Sequence, residues 1–321
     1  MRTRLTEMLE IEHPVMLAGM GGVSYSEVVA AVTEAGGFGC LGASAMSNNR
    51  MVEEMRLVRD RTAKPYGVDL LTAAPGDMGA QVELIAAGGA TVFVAGLGVP
   101  RQVIDQCHDH NILVGSMCGK VRHSIAAVEA GCDFVVAQGT EAGGHTGQIA
   151  TMALVPQVVD AVAGRVPVVA AGGLFDGRGL AAALSLGADG VWVGTRFIAT
   201  PEAYSVRGYK EKLVAAREDD TTISRGYTGK TCRVLRNGYT QYWEDNPDQL
   251  QPFPNQFLRS IEDGANHMGK GLDDDTVDPE REFYPAGQGT GGIIELVPAG
   301  ELVRRFVAEA EAVLDRVAAL R

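Results

Sequence analysis

Short apolar runs, many of them β-branched, alternate along the chain with longer stretches in which apolar residues return at helical spacing. Such runs at residues 15–18, 38–41, 66–70, 91–95, 112–115, 134–137, 168–171 and 191–193 read as strands covered on both faces. Between them, residues 24–35, 49–61, 76–87, 100–108, 120–130, 152–163 and 177–186 read as helices, several of which stop at glycine. Three helix ends share a phrase, Glu34-Ala35-Gly36-Gly37, Ala86-Ala87-Gly88-Gly89 and Glu129-Ala130-Gly131-Cys132-Asp133. Their spacing is uneven, so this is recurrent loop chemistry and not a solenoid repeat. Eight successive strand–helix units predict an α/β protein, a closed (β/α)8 TIM barrel; a doubly wound open sheet is the alternative.

After Phe197 the pattern changes. Residues 204–285 show no strand–helix alternation and are rich in aromatics, charges and prolines, which predicts an insertion or lid inside the last βα unit. The barrel then comprises residues 1–203 and 286–321. The insertion aromatics Tyr227, Tyr239, Tyr242, Trp243, Phe253 and Phe257 read first as a small core of their own and only second as ligand contacts. Near the C-terminus, Leu302, Val303, Phe306, Val307, Ala310, Val313 and Leu314 recur at helical spacing and mark a packing helix over residues 301–320.

The glycines fall at the C-terminal ends of the predicted strands, where a barrel builds its active site. Gly19-Met20-Gly21-Gly22 follows the first strand, Gly172-Gly173 the seventh and Gly194-Thr195 the eighth. After the sixth comes Ala137-Gln138-Gly139-Thr140-Glu141-Ala142-Gly143-Gly144-His145-Thr146-Gly147, in which Gln138, Glu141 and His145 sit between glycines. His145 is the strongest catalytic candidate, because both protonation states of imidazole are accessible near neutral pH. Glycines and a small hydroxyl after the last two strands suit a phosphate held by backbone amides. The first cluster, Gly19-x-Gly21-x-x-Ser24, lacks the third glycine and the distant acid of a dinucleotide fingerprint.

Charge and composition exclude several classes. The 321 residues are 46% hydrophobic and carry a formal net charge of −12, against nucleic acid or an anionic membrane as partner. The acidic clusters Glu218-Asp219-Asp220 and Asp273-Asp274-Asp275 read as solvated loops. No run is long and apolar enough to span a bilayer and residues 1–14 are charged, which points to a cytoplasmic protein. Cys40, Cys107, Cys118, Cys132 and Cys232 are scattered and read as reduced thiols. His13, His108, His110, His123 and His267 read as surface or capping residues, and no catalytic metal is expected.

Four stretches in order resemble the nitronate monooxygenase family, formerly the 2-nitropropane dioxygenases, and the related flavin-dependent enoyl-acyl-carrier-protein reductases. They are Ala137 through His145, Ala171-Gly172-Gly173-Leu174-Phe175-Asp176-Gly177-Arg178-Gly179, Val193-Gly194-Thr195-Arg196-Phe197-Ile198-Ala199-Thr200-Pro201-Glu202, and Ala286-Gly287-Gln288-Gly289. The resemblance implies a barrel that binds FMN over its mouth. Ala18, Gly19 and Met20 would then lie along the flavin ring, Gln138 would hydrogen-bond the cofactor, and Gly143 and Gly144 would pass close to it. Gly172, Gly173, Gly194 and Thr195 would hold the phosphate, His145 would be the catalytic histidine, and Gln288 would belong to a loop near the flavin. Asp69 stands where relatives usually carry asparagine, and Lys120 is displaced along the loop from a lysine found after strand five in some relatives.

Three functions follow as expectations. The first is FMN-dependent oxidation of small alkyl nitronates by O2 to carbonyl compounds and nitrite. The second keeps FMN and adds NAD(P)H, with an enoyl or acyl thioester as substrate; residues 207–212 and 219–224 resemble the reductases. The third is a flavin-free phosphate-binding isomerase or lyase. The sequence does not fix oligomeric state, and a homodimer is the assembly entertained.

Overall fold

The computed structural model describes residues 1–72, 77–96, 98–267 and 277–320. Gly76, expected to open a helix, and the Asp273–Asp275 cluster lie outside the described residues. The strands in chain order are β1 (Val15–Leu17), β2 (Gly39–Gly42), β3 (Tyr66–Leu71), β4 (Val92–Gly96), β5 (Leu113–Cys118), β6 (Phe134–Gln138), β7 (Gly144–His145), β8 (Val168–Ala171), β9 (Gly190–Val193), β10 (Thr221–Ser224) and β11 (Cys232–Leu235).

Eight of them form one parallel sheet in the order β1-β9-β8-β6-β5-β4-β3-β2. A parallel bridge between Met16 and Phe38, with Leu17 N donating to Phe38 O at 2.9 Å, joins β1 to β2 and closes the barrel. All eight strands therefore stand where the apolar runs predict. Strand β5 runs three residues beyond its predicted end, because Ser116, Met117 and Cys118 continue the pairing with Val135, Val136 and Ala137.

Alternate residues of each strand face opposite ways, and both ways are dry. Val15, Leu17, Val68, Leu70, Phe93, Val135 and Val191 pack outward on the helices. Met16, Phe38, Cys40, Val92, Val94, Phe134, Val136 and Trp192 fill the barrel interior. Leu5 and Leu9 of the helix Arg4–Leu9 join that interior cluster and plug the N-terminal end. Arg4 fastens the plug with two hydrogen bonds to Asp189, at 3.0 and 2.8 Å. The C-terminal end is left as the open mouth.

The C-terminal helix Ala299–Ala318 lies on the helix Gly177–Ser185 and supplies Glu309, which accepts a hydrogen bond from Gly177 N at 2.8 Å. Residues 204–285 contain more regular structure than their lack of alternation predicts, including the helices Arg207–Ala215, Gly238–Asp245 and Asn255–Glu262. A second sheet in the order β10-β11-β7 pairs β11 of this segment antiparallel with the two-residue β7, which belongs to the loop after β6. Tyr227, Tyr239 and Trp243 pack with Cys232, Val234 and Ala265 into the small core expected of them, whereas Tyr242 and Phe253 remain exposed.

Candidate active site at the barrel mouth

The glycine-rich loops meet at the C-terminal ends of β1, β6, β8 and β9. Gly172 and Gly173 occupy the left-handed region, with φ of 103° and 73°, a turn that side chains with a Cβ rarely adopt. A Cβ on Gly172 would lie 2.9 Å from Thr151 Oγ1 and 3.0 Å from Gly139 O, so this turn is pressed directly against the loop after β6. Gly143 in turn abuts Ala286 and Gly287, and Gly287 N donates to Thr195 Oγ1 at 2.9 Å. Gln288 N donates to Glu141 O at 2.8 Å. Four stretches far apart in sequence thus form one surface, and a cavity of about 280 Å3 opens beside it, lined in part by Glu141, Thr151, Gly172, Gly173, Phe175 and Gln288. A larger hollow lies beside Asn255 and Leu258 and touches none of these groups.

The main-chain N–H groups of Gly172, Gly173, Gly194 and Thr195 donate to no acceptor among the described residues. Half-buried amides without acceptors, on two adjacent loops, suit the oxygens of a phosphate. By contrast, the first amides of the neighbouring helix Gly177–Ser185 are taken by Asp176 and Glu309. The residues present therefore fit the phosphate end of a flavin mononucleotide.

On the β1 side, Ala18, Gly19 and Met20 lead out of the barrel, and Met20 N donates to the buried Ser24 Oγ at 2.6 Å. Ser24 thus closes the turn after β1. Asp69 projects from β3 into the interior, since its neighbours Val68 and Leu70 pack outward. Gly19 makes room for it: a Cβ there would fall 2.1 Å from Asp69 Cβ.

His145 is half-buried on β7, opposite Cys232 of β11. Its Nε2 lies 3.1 Å from the hydroxyl of Thr228, 83 residues downstream. Gln138 Nε2 donates to the His145 carbonyl at 2.7 Å and so fixes the backbone that carries the ring. Burial, and then the charge of Lys230, depress the imidazole below its usual range, so the neutral ring dominates at neutral pH. The Thr228 hydroxyl carries one proton, and Lys230 O also lies 3.1 Å from it. When Lys230 O takes that proton, His145 Nε2 is the donor and Nδ1 is the basic atom.

Glu141 lines the cavity, and its polar end has a second role. Its carboxylate turns to the helix Thr151–Val162, accepting from Thr151 N at 2.8 Å and from Thr151 Oγ1 at 2.7 Å. That helix has no side-chain cap of its own, since Ala150 stands at the capping position. Lys120 caps the helix Val121–Ala130 through its backbone position only. Sequence reasoning missed Thr151, Thr228 and Lys230. None carries a local signal, and only the fold brings them to the loop after β6. Among the described residues, no three His, Cys, Asp or Glu side chains are grouped to hold a metal ion, and no helix is long and apolar enough to cross a membrane.

The closed barrel, with its glycine cradle and a half-buried histidine at the mouth, is that of an enzyme, and its family places it in the flavin-dependent oxidoreductase class. The chain belongs to the nitronate monooxygenase family, whose profile matches residues 2–80 and 75–309. A putative monooxygenase of Mycobacterium tuberculosis is 36% identical, over all of this chain and 94% of that protein. A (3aS,4S,5R,7aS)-5-hydroxy-7a-methyl-1-oxo-octahydro-1H-indene-4-carboxyl-CoA dehydrogenase of the same organism is 40% identical, over 74% of this chain and 66% of that protein. Among solved structures, FabK from Thermotoga maritima superposes with a TM-score of 0.91 at 31% identity, covering all of both chains.

Proposed function

We propose that the protein is an FMN-dependent oxidoreductase that oxidises small alkyl nitronates with O2 to carbonyl compounds and nitrite. The observation that carries the reading is His145, kept neutral at the mouth by burial and Lys230 and aimed by Gln138 and Thr228. A neutral imidazole can take an α-proton from a nitroalkane, or donate to and orient the nitronate already formed. Lys230 has no carboxylate partner among the described residues; its ammonium stands 4.6 Å from the Phe253 ring centre. A positive charge without a counter-ion beside the base favours an anionic substrate. Gly172, Gly173, Gly194 and Thr195 would hold the phosphate of FMN, with Ala18, Gly19, Met20, Asp69, Gln138, Gly143, Gly144 and Gln288 around the rest of the cofactor. Bound there, FMN supplies the electron-transfer chemistry that no side chain offers.

The second reading, an acyl-thioester substrate, is favoured by the 40% identity to the carboxyl-CoA dehydrogenase. One experiment separates the two. Holoprotein with visible flavin absorption is mixed anaerobically with propyl nitronate and, separately, with NADH. Bleaching by nitronate alone, followed by oxygen uptake on admitting air, is the expected result. Bleaching by NADH alone, with turnover on adding an enoyl thioester, would refute the nitronate reading. A protein that takes up no flavin would refute both and leave the phosphate-binding barrel.

A further inference from the structure

The other buried carboxylates among the described residues are partnered. Glu54 meets Arg50 at 2.5 Å and Ser26 N at 2.8 Å, Asp189 meets Arg4 at 2.8 Å, and Glu282 meets His267 at 2.6 Å. Asp69 is different: it is 8% exposed and has no hydrogen-bond donor among the described residues. It lies on the inner face of β3 at the mouth, against Gly19. The titratable group facing it is the Cys40 thiol of β2, itself pushed up by burial and then by Asp69. Its other neighbours, Gly19 on the β1 loop, Gly42 on β2 and Val94 on β4, carry no charge.

No protein donor compensates a carboxylate left this way, and burial pushes Asp69 up to about 8. At neutral pH the group is therefore a carboxylic acid, with an O–H donor beside a C=O acceptor. We propose that Asp69 receives the isoalloxazine ring in this neutral form, so that FMN is held only while the Asp69 carboxyl carries its proton. The inference rests on the FMN reading above. The chemistry is complementary, because the ring's pyrimidine edge alternates carbonyl acceptors with an imide N–H donor. An ionised Asp69 would offer acceptors alone and bring an uncompensated charge against the ring. Asparagine at this position would supply a permanent donor beside an acceptor, with nothing to titrate.

The test measures FMN dissociation constants for apoprotein from about pH 6.5 to about pH 9, for wild type and for Asp69→Asn, by quenching of FMN fluorescence. Wild-type affinity should be flat below about pH 8 and weaken about tenfold per pH unit above it, while Asp69→Asn stays flat. The apoprotein melting temperature gives a readout independent of cofactor. A carboxyl whose folded pKa is raised costs stability progressively as pH climbs from its unfolded value through about 8, so Asp69→Asn should melt higher than wild type, with a gap that widens up to that pH. FMN bound with the same pH slope in both proteins would overturn the inference and leave the cofactor reading standing. Failure of wild type to bind FMN at any pH would overturn both.

Discussion

Replacing Glu141 by alanine should loosen the cradle from beneath. The Glu141 carboxylate takes the place of the missing cap on the helix Thr151–Val162, bonding Thr151 N and Thr151 Oγ1. Loss of a cap costs about 1 kcal/mol, loss of a negative charge at a helix N-terminus up to about 1 kcal/mol, and loss of a charge-assisted hydrogen bond to the hydroxyl about 1 kcal/mol. These overlap, so the expected penalty is about 2–3 kcal/mol. Unfolding entropy of about 2 cal/mol/K per residue converts this, for 321 residues, into a fall in melting temperature of about 3–5 °C. Because Gly172 packs directly on Thr151, where a Cβ would stand 2.9 Å from Thr151 Oγ1, a displaced helix start removes the support beneath the phosphate turn, and FMN affinity should drop about tenfold. Scanning calorimetry of Glu141→Ala, Thr151→Val and the double variant checks the coupling. A melting temperature unchanged in Glu141→Ala, or strictly additive effects in the double variant, would refute the argument.

Other outcomes follow from the same geometry. His145→Gln should lower turnover of a neutral nitroalkane about 10²–10⁴-fold while sparing its preformed nitronate, which steady-state oxygen uptake on the two forms distinguishes; equal losses would argue against a role as base. Lys230→Gln removes a charge that depresses the His145 pKa, so the acid limb of the pH–rate profile should move to higher pH, and no movement would separate Lys230 from the base. Gly172→Ala would put a Cβ 2.9 Å from Thr151 Oγ1 at a φ of 103°, costing about 2–3 kcal/mol and weakening FMN binding at least tenfold, as calorimetry and a fluorescence titration would record.

The eight barrel strands were legible in the chain because each is buried on both faces. A run such as Phe134-Val135-Val136 must be apolar at every position, so composition marks it without help from neighbours. The glycine clusters were legible for a related reason: a turn with positive φ restricts residue type locally, wherever its partner loop lies. His145, Gln138 and the glycines around them could therefore be singled out from the sequence. Residues 204–285 were read as a break in the pattern, but the sheet they share with β7 was not, because a two-residue strand has no periodicity to read.

What the tertiary structure decided is which groups meet. Glu141 was grouped with the polar residues of the mouth, and it also serves a helix, because the turn at Gly139 and Gly172 brings Thr151 beneath it. Thr228 and Lys230 reach His145 only through the pairing of β11 with β7, and nothing in the sequence near either residue records that contact. Asp69 could be placed by its strand, but its proton depends on burial, which is a property of everything packed around it. Secondary structure and turn chemistry are local and are written into adjacent residues. Hydrogen-bond partners, burial and pKa are sums over residues distant in the chain, and only the folded chain, barrel and second sheet together, assembles them.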